Sequence, residues 1–108
     1  MAPNKGFEPT DSSKIPRYAE IASFMRSARA EIAKPLDIAL VGVPLDLGAT
    51  YRSGARQGPS GVREASRLIR QVNPTTKVAP YRLCNIADVG DAPTHPLSVE
   101  RSVELIQA

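Results

Sequence analysis

Between Ile38 and Val43 the chain reads Ile-Ala-Leu-Val-Gly-Val, an apolar stretch without a single charge. A short run of this kind, with no alternation of polar positions, predicts a strand buried on both faces. Such strands belong to parallel sheets, whose crossover helices cover both sides. The segment that follows, Pro44 to Pro59, carries glycines at 48, 54 and 58 and arginines at 52 and 56. Ligands of open α/β sheets bind beyond the carboxyl ends of the strands. This loop therefore lies where function is expected.

The other segments are read around that strand. Residues 1–16 are polar, without periodicity, and read as a flexible N-terminal arm closed by Pro16. Tyr18 to Ala33 places Ile21, Phe24, Met25, Ala28 and Ile32 at steps of three and four, which predicts a helix stopped by Pro35. After the loop, Pro59 suits the first turn of a helix ending at Asn73-Pro74. That helix is expected to carry Val62, Ala65, Ser66 and Ile69 on one side and Arg63, Arg67 and Arg70 on the other. Tyr81 to Val89 reads as a second strand, and Gly90-Asp91 with Pro93 to Pro96 as turns. Leu97 to Ala108 reads as a helix with Ser98 as N-cap and Val99, Val103 and Ile106 on one stripe. Strands alternating with helices predict an α/β layered fold. Two strands make a poor sheet. Residues 17–108 are accordingly expected to be the N-terminal portion of a single larger domain.

Several chemistries are set aside by composition. No apolar run approaches the roughly 20 residues that span a membrane, and the N-terminus lacks the apolar core of a secretory signal. The cytoplasm is the expected compartment, with no membrane partner. The lone cysteine, Cys84, can form no internal disulfide and is expected to be a buried structural thiol in the second strand. One Cys and one His, His95, cannot build a zinc site. Gly42 and Gly48 do not complete a dinucleotide fingerprint, and no Gly-Lys-Ser/Thr run is present. Asp88 and Asp91 are expected to finish a strand and open a turn, a hard-cation pair being the alternative. Net charge is +3, and between Arg52 and Arg82 the bases face a single acid, Glu64. With few aromatics among them, these arginines predict a solvated helix face with subunit salt bridges, and no nucleic-acid partner.

Within the loop, Gly54 and Gly58 permit backbone angles that other residues resist. Arg52 and Arg56, four apart, can pair with carboxylates such as Asp46 or with those of another subunit, because the guanidinium fork binds carboxylates bidentately; a purely structural loop is the alternative. Tyr51 either lines a substrate mouth or packs the loop.

Four stretches together carry a family resemblance. They are Val41-Gly42-Val43-Pro44-Leu45-Asp46-Leu47-Gly48, Tyr51 to Pro59, Val62 to Ser66, and Asn85-Ile86-Ala87-Asp88-Val89-Gly90-Asp91. The chain resembles the ureohydrolases: arginase, agmatinase, guanidinobutyrase and proclavaminate amidinohydrolase. Pro16 to Arg26 looks like the arm of the last two. The resemblance implies a three-layer α/β/α sandwich with a mainly parallel sheet, of which these residues supply the first strands and helices. It implies hydrolysis of a guanidino compound such as agmatine, guanidinobutyrate or a biguanide, releasing urea. Two divalent metal ions, manganese or in some relatives nickel, would lower the pKa of a shared water. The family's ligand motifs do not occur in residues 1–108, so no catalytic or metal residue is assigned and these residues alone are expected to be inactive. Asp46, Tyr51, Arg52 and Arg56 are the residues expected at the substrate mouth or in ordering its loop. Relatives imply a homo-oligomer, trimer or hexamer. The runner-up is a non-catalytic subunit pairing with an active paralogue.

Overall fold

A computed structural model describes residues 7–31 and 35–108. Its frame is a three-stranded parallel sheet of β1 (Ala28–Arg29), β2 (Ile38–Gly42) and β3 (Ile86–Asp91), in the order β1-β3-β2. Among the described residues three α-helices accompany it: α1 (Gly58–Ala65), α2 (Pro80–Leu83) and α3 (Val99–Gln107). The parallel sheet with intervening helices bears out the α/β expectation.

β3 is the central strand, and the core sits on it: Ile86, Ala87 and Asp88 are all buried. Ala87 faces Ala28 on one side and Ala39 on the other. The register slips between Leu40 and Gly42, so that Gly42 lies opposite Asp91. Gly42 has no room for a side chain. A Cβ there would stand 2.7 Å from the Pro59 Cβ and would collide with the Asp91 carboxylate. This close approach lets the start of α1 settle against the end of β2.

Several readings of the sequence need correction. Residues 18–31 do not form the helix expected over Tyr18 to Ala33; Ile32 to Lys34 lie outside the described residues. A single 3-10 turn at Phe24–Arg26 leads into β1 instead. Left-handed backbone at Glu20, Met25 and Arg26 interrupts any helix. The backbone polar groups find tertiary partners, since Phe24 N–H donates to the Asp88 carboxylate (2.9 Å) and Ala30 N–H to the Asp88 carbonyl (3.2 Å). The apolar spacing was compatible with a helix, and pairing along β3 overrides it.

The second strand starts late. Pro80, whose missing N–H suits a first helical turn, opens α2, and the Cys84 N–H closes it on the Pro80 carbonyl at 3.0 Å. Cys84 is consequently a half-buried helix cap, not a buried strand residue. β2 is also not buried on both faces: Val41 is 53 % exposed. β2 is an outer strand of the sheet, and among the described residues no further strand pairs with its far edge.

The faces of the second helix are reversed. Arg63 and Arg67 side chains are each only 13 % exposed, whereas Val62 is 56 % exposed. Both arginines turn inward because they find acceptors there. Arg67 spans the Ala19 and Glu20 carbonyls (2.9 and 3.0 Å) as well as Glu64 (3.0 Å). The helix that was expected to reach Asn73 ends at Ala65 and tightens into a 3-10 turn over Ser66–Leu68. The last helix forms as expected, with the Ser98 hydroxyl accepting from the Arg101 N–H at 3.1 Å.

Candidate functional site

The loop from Val43 to Gln57 leaves the carboxyl end of β2 and returns through a 3-10 turn at Ala55–Gln57. Its shape depends on Asp46, whose side chain is 1 % exposed. The carboxylate accepts from the Gly54 N–H (2.7 Å) and the Arg56 N–H (3.2 Å). The Arg56 guanidinium completes the clamp, with Nε 2.9 Å and Nη2 2.8 Å from Oδ1. One carboxylate thus closes the loop across eight to ten residues, as an ionised acceptor with several lone pairs can. Gly54 sits at φ 137°, an angle that side chains resist, which turns its N–H toward Asp46. Gly58 needs no such freedom, since its φ is −57°.

Electrostatics follow from the clamp. The Arg56 side chain first, then the Gly54 N–H, hold the Asp46 carboxyl well below the ordinary carboxylate range, against its own desolvation. The same pairing raises Arg56.

The clamp leaves the loop tip outside. Tyr51 is 86 % exposed, and the Arg52 guanidinium lies 5.2 Å from its ring centre. Of the two loop arginines, Arg56 is the one that pairs with Asp46; among the described residues no carboxylate lies within ion-pair distance of Arg52. Beneath the loop, Asp46 and Arg56 share a cavity of about 220 Å³ with Thr94, His95 and Pro96. His95 is held by its neighbours: its N–H donates to the Ser102 hydroxyl (2.9 Å), and its Nδ1 accepts from the Leu97 N–H (3.1 Å).

A second charged cluster binds α1 to β3, and it escaped the sequence reading. Arg63 meets Asp88 bidentately, Nε to Oδ2 at 2.8 Å and Nη2 to Oδ1 at 3.0 Å, and reaches Asp91 with Nη1 at 2.7 Å. Its guanidinium also lies 4.2 Å from the Phe24 ring centre. Asp88 is therefore not the end of a strand but its buried middle, and only Asp91 closes β3. Burial works to raise the Asp88 carboxyl. Arg63, together with the Phe24 and Gly90 N–H groups, outweighs it and holds the carboxyl below its usual value. The signal that could have found this pair is Asp88 itself, a charge within an apolar strand, which requires a partner when buried.

Among the described residues, no group of three His, Cys, Asp or Glu side chains comes together to hold a metal ion. The loop can recognise a ligand through one guanidinium and one phenol. It contains no acid–base pair of its own.

A sequence profile described as the arginase family matches residues 36–108. The chain is 42 % identical over 100 residues to guanidinopropionase of Pseudomonas aeruginosa, covering 93 % of this chain and 31 % of that protein. It is 38 % identical over 104 residues to guanidinobutyrase of the same organism, covering 93 % and 32 % respectively. The solved proclavaminate amidinohydrolase from Streptomyces clavuligerus superposes with a TM-score of 0.79 at 34 % identity, over 83 % of this chain and 30 % of that one. The chain thus spans about a third of the length of the curated relatives it matches.

Proposed function

Because the chain belongs to the arginase family, we propose that the protein hydrolyses a small guanidino acid and releases urea. Two relatives are named for guanidinopropionate and guanidinobutyrate hydrolysis. Both substrates carry a guanidinium at one end and a carboxylate at the other. The observation that carries the choice of acid is Arg52, held out at the tip of the Asp46-clamped loop with no carboxylate partner among the described residues. A guanidinium there meets a substrate carboxylate as a fork meets its acceptor, and Tyr51 beside it offers a hydroxyl donor and a ring wall. Asp46 and Arg56 set the shape of the loop. A positively charged tail, as in agmatine, gains nothing from Arg52 and is repelled by it.

The family's chemistry requires two divalent metal ions, manganese or nickel, which supply a nucleophile at neutral pH. The described residues do not fit that centre, and in this reading its ligands come from sequence outside residues 1–108. The same reading keeps the protein in the cytoplasm as a homo-oligomer.

Urea release by the complete native protein, supplied with manganese or nickel, tests the proposal on guanidinopropionate, guanidinobutyrate and agmatine. The acids are expected to be preferred in kcat/KM. Arg52→Ala is expected to raise KM for the acids about tenfold, the loss of one charged hydrogen bond, and to leave agmatine turnover no worse. Absence of urea from every one of these substrates overturns the activity.

A further inference from the structure

Away from the β2 loop, the chain at Glu8 to Arg17, the Arg26 turn and the segment around α2 enclose a cavity of about 570 Å³. Five basic residues line it, Arg17, Arg26, Arg70, Lys77 and Arg82. The two acids of its wall are Glu8 and Asp11, and the Asp11 carboxylate is already engaged by the Ser13 N–H (2.9 Å) and hydroxyl (2.7 Å).

Arg26 is the unusual member. It is only 7 % exposed, and its guanidinium donates to two carbonyls, of Thr10 at 3.2 Å and Ile69 at 3.3 Å. Its Nε has no acceptor among the described residues. A buried charge is normally paired with an opposite one, and two carbonyls do not neutralise a guanidinium. Burial first, then the nearby charge of Arg17, lowers its pKa. The backbone holds this cation in place at a conformational cost: Arg26 has φ 56°, and Lys77, on the same wall, φ 61°. Arg70, Lys77 and Arg82 are exposed and lack a carboxylate within ion-pair distance among the described residues.

We infer that this cavity binds a small multivalent oxyanion, with Arg26 as its buried anchor and Arg70, Lys77 and Arg82 closing around it. Arginine forks bind phosphate and carboxylate oxygens bidentately, and an anion seated between Arg17 and Arg26 supplies the counter-charge that neither finds among the described residues. The site is separate from the β2 loop and shares none of its residues.

Calorimetric titration of the complete native protein tests it, at ionic strength held constant with sodium chloride. Inorganic phosphate is used first and citrate second, which tells a phosphate site from a polycarboxylate site. Saturable binding of either anion below about 10 mM is expected. Arg70→Gln combined with Lys77→Gln, two exposed side chains, is expected to weaken binding by about fivefold or more while leaving Tm without anion unchanged. Arg82→Gln serves in its place if that pair impairs folding. No saturable binding of either anion overturns the inference, and so does a loss smaller than that in the folded variant.

Discussion

Asp88 and Gly42 show how much of this fold turns on single atoms. Asp88 accepts from one guanidinium and two backbone N–H groups while almost wholly buried, so every lone pair that burial strips of water is reused. Asp88→Asn leaves Arg63, itself 13 % exposed, without its main counter-charge. Removing one partner of a buried pair costs about 3 kcal/mol, and urea unfolding of the native protein should show a loss of that order. The pH dependence has a definite sign. Both Asp46 and Asp88 carboxyls are held below their ordinary value in the folded chain. Their contribution is complete above about pH 5, where an unfolded Asp is almost wholly ionised, and is lost as pH falls toward the depressed folded values. Stability of the native protein should therefore drop below about pH 5, and the drop should be shallower in Asp88→Asn. An unchanged acid limb in that variant would contradict the assignment. Gly42 acts through space instead of charge. Gly42→Ala forces a methyl against Pro59 and Asp91, and overpacking of this kind costs about 1–3 kcal/mol. Unaltered denaturant stability in Gly42→Ala would show that β2 and α1 part readily enough to admit a methyl group.

At the scale of elements, the β2 loop is the piece whose order depends on one clamp. Asp46→Asn keeps the size of the side chain and removes the charge that draws in Arg56 and the Gly54 N–H. Limited proteolysis should then cut between Thr50 and Gln57 faster than in the unmodified protein, with Tm falling less than in Asp88→Asn, because the stranded Arg56 is 49 % exposed and Arg63 only 13 %. Equal cutting rates would show that the loop holds its shape without the clamp. The Asp46–Arg56 half of this clamp was legible in the sequence, because a short loop with an acid at its start and an arginine fork near its end has few other ways to satisfy both. Arg52 could not be sorted from Arg56 in that way; the two differ only in which side of the turn they fall. The strand at Ile38 and the N-cap at Ser98 were legible for local reasons, an unbroken apolar run and a hydroxyl before a periodic segment. The region before β1 was not. Its spacing of Ile21, Phe24 and Met25 satisfies a helix, and what decides against it is the open edge of β3, some 60 residues away in sequence (Phe24 to Asp88 spans 64). The inward turn of Arg63 was hidden for the same reason: its acceptors lie on a strand that a reading of the helix alone does not see.

At the scale of the molecule, one mismatch remains between sequence and surface. The run from Ile38 to Val43 has the composition of a strand covered on both faces, yet Ile38, Val41 and Val43 are 43, 53 and 44 % exposed. Leu68 and Ile69 stand exposed as well, at 71 and 46 %. Relatives of which this chain spans 31 and 32 % have further sequence with which to cover such a surface. We predict that in the complete native protein Val41 is a core position. Val41→Lys there buries a charge without a partner and should lower stability by about 2 kcal/mol or more. That corresponds to a fall in Tm of several degrees for a domain of about 200 residues. A Val41→Lys protein that melts where the unmodified one does would show that β2 faces water in the native protein too. The apolar run would then be explained by strand propensity alone.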